Sequence, residues 1–360
     1  MEAKKQITIF SKKISTVEKY NFYEYLAVML DSWVGMTSAL ESVQDKITNP
    51  YFNLKIGELI TFIMSGDPFS KAMKKVPQIF SLSEISIIES WEQTGRLANS
   101  FERLSEDLKA LSHLKNKIKS ALNYPAIIFG FLFIAVIVVL VYVIPNIRPI
   151  FDDAGIALPF ATQALLSTSE FIIWNFLYLI FFGAFMFVGL IWYKNTDTWR
   201  KSMDNFYLNL PLVWKVYRNY ILADIAGNLG SLIWSGVSII KALTLTWVST
   251  NNAVYQSLFK QIITKVSTGE KIVESMEDVD PENRYFPRDF LQMLWVWEKS
   301  AKIQDVSVKM NKQYTRELDY SLSIMTKWIE PLAILIAWMF VVWFAFAIFG
   351  AILKVTTSIG

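Results

Sequence analysis

Three long apolar stretches without a single charged residue constrain this sequence more than any other feature. They cover residues 126–144 (AIIFGFLFIAVIVVLVYVI), 171–193 and 331–353. A helix needs about 20 predominantly apolar residues to cross the hydrocarbon core of a bilayer. The pattern therefore predicts an all-α membrane protein with three transmembrane helices.

The distribution of Lys and Arg predicts the orientation of these spans. Of the 35 basic residues, 16 lie before the first span and 17 lie between the second and the third, whereas the loop at 145–170 holds only Arg148. Cytoplasmic segments of membrane proteins are enriched in Lys and Arg. We expect an N-inside, C-outside topology with a basic N-terminal tail (1–20), a cytoplasmic helical domain (21–125), a periplasmic loop (145–170), a second cytoplasmic helical domain (194–330) and a short C-terminal tail (354–360).

The two cytoplasmic regions are similar to each other in sequence. A three-residue insertion in the second region changes the offset between matching segments from 203 to 206. The series of matches at a nearly constant offset predicts an internal duplication, in which residues 194–330 repeat residues 21–125. The matched segments are SWVGMTSAL (32–40) with SGVSIIKAL (235–243), SGDPFSKAM (65–73) with TGEKIVESM (268–276), and WEQTGRL (91–97) with WEKSAKI (297–303).

Each copy is expected to form a bundle of helices that continues into a span. Apolar residues recur at steps of three and four from Leu97 to Leu111, which is typical of an amphipathic helix. In WEQTGRL, Gly95 is expected at a corner between two helices, where a left-handed backbone conformation favours glycine. Pro125 and Pro331 precede the first and third spans, and we expect kinks or membrane entry points there.

The sequence offers little for catalysis or metal binding. It contains no Cys and one His, and it lacks phosphate-binding, dinucleotide-binding and zinc-protease motifs. We therefore expect no enzymatic activity, no cofactor and no metal site. The net charge of +3 is too small to indicate a nucleic-acid partner.

The order of these motifs resembles the type II secretion system protein F family, which includes the inner-membrane platform proteins of type IV pilus machines. The resemblance rests on SGVSIIKAL, on the Glu-x-x-Gly-x-Leu corner that begins at Glu92, and on VIPNIRPIF and AGIALPFAT within residues 143–162. Trp91 and Trp297 depart from the Gly that the family usually has before the corner Glu. Ala301 and Lys302 replace Gly-Arg in the second copy.

The resemblance implies a function and a set of partners. A platform protein of the bacterial inner membrane holds a cytoplasmic assembly ATPase, receives pilins or pseudopilins in the membrane, and contacts other inner-membrane assembly proteins. It also implies a homo-oligomer in contact with lipid. An oligomeric small-solute transporter is the alternative, although the spans lack the charged groups that such a pathway uses.

Five charged residues are candidates for partner contacts. Glu92, Arg96, Glu298 and Lys302 lie on the paired corners, and Glu330 lies at the mouth of the third span. The alternative for the corner residues is a local ion pair or a solvated surface, and for Glu330 a helix-surface acid at the headgroup boundary. The basic tail is a further candidate for binding a partner or anionic lipid.

Overall fold

The computed structural model describes residues 14–146, 149, 159–193, 197–211, 213–250, 252–299 and 303–359. Within these ranges the chain is helical between short turns and contains no β-strand, so the predicted all-α class is confirmed. Three of the sequence predictions fall at least partly outside the described residues. They concern positions 1–13 of the basic tail, residues 147, 148 and 150–158 of the loop at 145–170, and Lys302 with the neighbouring Ala301.

The helices occur in the same order in both copies. The first copy consists of α1 (Thr16–Asp31), α2 (Met36–Gln44), α3 (Pro50–Met64), α4 (Phe69–Lys74), α5 (Leu82–Glu92) and α6 (Leu97–Val138). Between the copies lie α7 (Phe160–Trp174), α8 (Phe176–Tyr193) and α9 (Asp197–Asn209). The second copy consists of α10 (Val213–Trp234), α11 (Ile239–Ser249), α12 (Ala253–Ser267), α13 (Ile272–Val279), α14 (Arg288–Lys299) and α15 (Ile303–Ile359).

Equivalent residues begin equivalent helices in the two copies. The side chain of Asn49 accepts hydrogen bonds from the backbone at the start of α3, and the side chain of Asn252 does so at the start of α12. These amides satisfy backbone N–H groups that have no partner within the helix. Both helices are 15 residues long, so the duplication preserves the length of this helix together with its cap.

The chain forms two compact units. The first comprises residues 1–117 and 204–319 and therefore contains both helical copies. Each copy has an aromatic core, in which Phe80 of the first copy and Phe286 of the second are equivalent and buried. The three-residue insertion lies in the loop before Phe286. The Asp280 carboxylate organises this loop by accepting hydrogen bonds from three backbone N–H groups, those of Arg284, Tyr285 and Phe286.

The second unit comprises residues 118–203 and 320–360. Among the described residues, two helices are long and apolar enough to cross a membrane, Leu97–Asn146 and Val306–Gly350. The first combines α6 with a short π-helical segment, Val139–Val143. The count becomes three if α7 and the first part of α8, which are bent by 67° at Asn175, form one broken span. The apolar stretch expected as a second span thus begins inside α7, and α7 itself begins at Phe160 within the predicted loop.

Both predicted transition prolines lie in the interior of long helices. Pro125 lies inside α6 and Pro331 lies inside α15. Each of these helices contributes residues to both units. Helix formation therefore continues on either side of each proline, although the ring cannot donate the backbone hydrogen bond of its turn.

Candidate functional site: the two corners and the joint between the copies

The acid of each corner caps a helix elsewhere in its own copy. Glu92 accepts hydrogen bonds from the backbone N–H of Phe69, at 2.5 Å, and of Ser70, at 3.2 Å, and a third from the Ser70 hydroxyl. In the second copy, Glu298 accepts one from the backbone N–H of Ile272 at 2.9 Å. Phe69 and Ile272 are the first residues of α4 and α13, so both acids stabilise the start of the equivalent helix.

The two caps are not equally complete. Val273 occupies the position that Ser70 holds in the first copy, and it offers no hydroxyl group. One carboxylate oxygen of Glu298, Oε2, is buried without a hydrogen-bond partner among the described residues. A buried oxygen without a partner lowers stability, because it has lost its hydration and gained nothing in return.

The corner tryptophans lie in different surroundings. The Trp91 ring packs against the Trp234 ring of the second copy, with centroids 4.8 Å apart. Trp297, its equivalent, is buried within the second copy. Neither indole N–H has a hydrogen-bond partner among the described residues. Trp91 thus contributes apolar area to a contact between the copies, which a Gly at this position would not supply.

Gly95 and Arg96 close the first corner. Gly95 has a φ of +70°, the left-handed conformation expected there from the sequence. The backbone N–H of Arg96 donates to the carbonyl oxygen of Trp91, which ends α5. The Arg96 side chain is exposed, and no side-chain hydrogen bond or ion pair joins it to another described residue. Among the described corner candidates, Arg96 is therefore the one whose charged group is free for a partner.

A polar joint connects the two copies, where α5 packs against α10 and α11. At one end, the Ser90 hydroxyl donates to the backbone carbonyl of Ser235. At the other, Arg103 Nε donates to the Ser231 hydroxyl at 3.1 Å, and this hydroxyl donates to the Asp107 carboxylate. Arg103 also lies 3.3 Å from the carboxylate of Asp107, which makes this end a small charged network.

A cavity of about 370 Å³ lies beside this joint and is lined by both copies. Burial raises the pKa of Asp107 to about 6, although Arg103 and Ser231 oppose the change. Burial also raises the pKa of Asp224 to about 6, opposed by the charge of Lys115. In the part of the chain that the structure describes, no group of three acidic or histidine residues is placed to hold a metal ion.

In the second unit, two buried hydroxyl groups on α7 form hydrogen bonds to other helices. Thr162 donates a hydrogen bond to the backbone carbonyl of Ala347, and Ser169 donates one to that of Leu140 in the π-helical segment. Both are buried on α7, beside an apolar cluster that includes Leu165. Sequence reasoning missed them because they fall in the predicted loop. In an apolar setting such bonds satisfy groups that water cannot reach.

Glu330 is exposed on α15, directly before Pro331. Its carboxylate has no hydrogen-bond or ion-pair partner among the described residues. The surrounding helix surface carries Ile334, Leu335 and Trp338. A charged group at the edge of an apolar helix face is consistent with a membrane boundary at this position.

Two copies of one helical bundle, with long apolar helices that follow them, define a duplicated helical membrane protein. The family model for the type II secretion system (T2SS) protein F matches residues 22–145 and 225–351, one match for each copy. The chain belongs to this family.

Several curated relatives match over most of their length. The type IV pilus assembly protein PilC of Pseudomonas aeruginosa is 25% identical over 322 residues, which cover 89% of this chain and 85% of the relative. The type IV pilus assembly protein TapC of Aeromonas hydrophila is 26% identical over 365 residues, which cover 99% of this chain and 87% of the relative. The type II secretion system protein F of Aeromonas hydrophila is 21% identical over 333 residues, which cover 91% of this chain and 84% of the relative.

Proposed function

We propose that this protein is an inner-membrane platform of a type IV pilus or type II secretion machine, and that it couples a cytoplasmic assembly ATPase to the insertion of pilins into a filament. The observation that supports this most is the match of both copies to the family, together with relatives named as pilus assembly proteins over nearly the whole chain. The protein itself supplies no chemistry in this proposal.

The proposed location is the bacterial inner membrane, with several crossings and the N-terminus in the cytoplasm. The apolar helices support membrane insertion, and the Lys and Arg distribution supports the orientation. The described apolar surface of α8 fits contact with lipid, because Phe181, Phe182 and Phe185 are all exposed. This orientation places both helical copies on the side where ATP is available.

The proposed mechanism is mechanical. The ATPase binds the helical copies, and its motion shifts them relative to the spans. Helices α6 and α15 pass this displacement into the membrane, where a pilin helix or a second assembly protein contacts the region of Glu330. Thr162 and Ser169 hold helices of the second unit together during this movement, since each of them bonds to the backbone of another helix.

Arg96 provides the test of ATPase binding. We expect Arg96→Glu to lower recovery of the assembly ATPase about tenfold in a pull-down with the full-length protein in detergent, because reversing a contact charge turns attraction into repulsion. Lys260→Glu is the matched control, since Lys260 is an exposed cation in the second copy. Equal recovery of the ATPase with Arg96→Glu and with Lys260→Glu would show that Arg96 does not contact the ATPase.

The two prolines provide the test of force transfer. Pro125→Ala and Pro331→Ala restore a backbone donor within α6 and α15, and they are expected to slow filament assembly several-fold without reducing ATPase recovery. Pro50→Ala, at the first position of α3, replaces a proline away from the spans and serves as the control. Normal assembly rates in both variants would show that flexibility at these positions is irrelevant to coupling.

A small-solute transporter remains the second candidate, and only the hydroxyls of α7 favour it. The two buried hydroxyls, of Thr162 and Ser169, donate to backbone carbonyls of other helices, so they are occupied in holding helices together. Purified protein in vesicles is therefore expected to show no solute flux above that of empty vesicles. ATPase recovery and solute flux separate the two candidates.

A further inference from the structure

The joint between the copies uses only one of two equivalent pairs of surfaces. The first copy contributes the end of α5, and the second contributes the end of α10 with the following turn. Because the copies are duplicates, the first copy also has a turn and the second copy also has a helix end. We call Val28, Asp31 and Trp33 the turn face, and Trp295, Val296 and Lys309 the helix face.

Both of these faces expose large apolar side chains. Trp33 is 95% exposed and Val28 is 61% exposed, while Trp295 and Val296 are 50% and 46% exposed. Trp33 also has a φ of +62°, at the position where the second copy has Gly236 with a φ of +83°. A large residue in this conformation costs free energy and gains no contact within the described chain. Such residues are common where a partner binds.

We propose that the helix face of one molecule docks on the turn face of a second copy of this chain, in a head-to-tail repeat of the internal joint. The contact is heterologous, since two different surfaces meet. It adds a contact between chains to the contact that already joins the two copies within each chain.

The substitutions between the two versions of the joint support this occupant. Ser90 and Ser231 in the internal joint correspond to Val296 and Val28 in the unused faces. The two serines lie at opposite ends of the internal joint, so the repeated contact gains one apolar side chain at each end, and Val296 meets Trp33 where Ser90 lies beside Gly236. Apolar surfaces that meet in this way release water from both of them, which favours association.

The charges of the two faces are also complementary. In the internal joint the Arg103 guanidinium lies 5.6 Å from the centre of the Trp234 ring. The equivalent residues are Lys309 on the helix face and Asp31 on the turn face, which carry opposite charges. Both are exposed, and no ion pair or side-chain hydrogen bond joins either of them to another described residue. Docking in the geometry of the joint brings these two charges together.

Cysteine cross-linking tests this contact directly, because the natural chain has no Cys. In the internal joint, a Cβ added to Gly236 would lie 3.4 Å from Ser90 Oγ, which is within disulfide reach. Trp33 and Val296 are the equivalent pair. Full-length Trp33→Cys and Val296→Cys proteins, co-expressed in the same membranes and oxidised, are expected to form a mixed dimer. Either variant alone is expected to form none.

The control and the contradicting results are defined by the same geometry. Ser90→Cys with Gly236→Cys in one chain is expected to form an internal disulfide, which shows that oxidation works. If this disulfide forms while the mixed dimer does not, the proposal is wrong. A dimer of Trp33→Cys with itself would also overturn the head-to-tail arrangement. So would a mixed dimer that forms only after deletion of residues 1–13, because that segment would then be the natural occupant of the turn face.

Two further variants separate docking from folding. Trp33→Gly copies the residue of the second copy and is expected to weaken self-association at least about tenfold, as loss of a buried aromatic anchor does, without loss of folding stability. In the Cys pair, Asp31→Lys on the turn-face chain is expected to lower the dimer yield about two- to fivefold, and Lys309→Asp on the other chain is expected to restore it. Failure of the second change to restore the yield would contradict the predicted charge pairing.

Discussion

Replacing Glu92 by Ala is expected to lower the free energy of unfolding of the full-length protein by about 3 kcal/mol. The carboxylate accepts hydrogen bonds from two backbone N–H groups and from the Ser70 hydroxyl. A hydrogen bond to a charged acceptor contributes about 1.5–3 kcal/mol, but three bonds to one carboxylate do not add in full. Loss of the cap also exposes the first turn of α4. Pulse proteolysis in urea, on protein in detergent, measures the difference.

Two controls make the Glu92 result specific. Gln93→Ala changes the next, exposed residue and is expected to change stability by less than about 0.5 kcal/mol. Glu298→Ala is expected to cost only about 1 kcal/mol, because Glu298 accepts one bond and leaves its other oxygen unpaired. Equal losses at Glu92 and Glu298 would show that the caps do not differ as described.

This result affects how binding experiments at the corners are read. A charge reversal at Glu92 would damage the start of α4 as well as any contact with a partner. Lost ATPase recovery in such a variant would therefore report on folding as much as on binding. Arg96, whose side chain has no described partner, avoids this difficulty, and contacts by Glu92 and Glu298 stay predictions.

Replacing Asp224 by Asn is expected to raise the free energy of unfolding at pH 7 by about 1–2 kcal/mol, and to flatten its dependence on pH. Burial raises the pKa of this carboxyl to about 6 in the folded protein, above its value in the unfolded chain. Between about pH 4 and 6 the folded state therefore holds a proton that the unfolded state has released. Stability falls as the pH rises through this interval, and the loss is nearly complete at pH 7.

Urea unfolding at pH 4.5 and pH 7 measures this effect. Asp107 has its pKa raised in the same direction, so Asp224→Asn is expected to reduce the slope rather than abolish it. Asp45→Asn changes an exposed carboxyl and is expected to leave the slope unchanged. An Asp224→Asn protein that is less stable than the natural one at pH 7 would contradict a desolvated carboxylate at this position.

Features that repeat along the chain could be predicted from the sequence. The offsets of 203 and 206 relate both ends of the two family matches, 22 to 225 and 145 to 351. The corner at Gly95 could also be predicted, because the preference of glycine for a left-handed conformation is a local property. The cap formed by Glu92 could not be predicted, because the helix that it caps begins 23 residues earlier in the chain. Rules for helix caps consider only neighbouring residues.

The helices of the membrane segments were harder to predict from the sequence, for a related reason. Hydropathy locates apolar residues, but it does not show where a helix begins or bends. It therefore did not predict that α7 begins at Phe160, or that a bend follows at Asn175. The bonds from Thr162 and Ser169 join residues far apart in the chain, and one sequence contains no signal for such pairings.

The joint between the copies is a contact within one covalent chain, so its occupancy does not depend on how much protein the membrane contains. Two surfaces within one chain meet at an effective concentration that is set by the connecting chain, here residues 118–203, and not by the amount of protein. The Ser90 and Ser235 bond and the charged network near it therefore form without a bimolecular step. The joint within one chain is therefore independent of the protein's abundance, whereas the proposed contact between two chains strengthens as the membrane holds more of the protein.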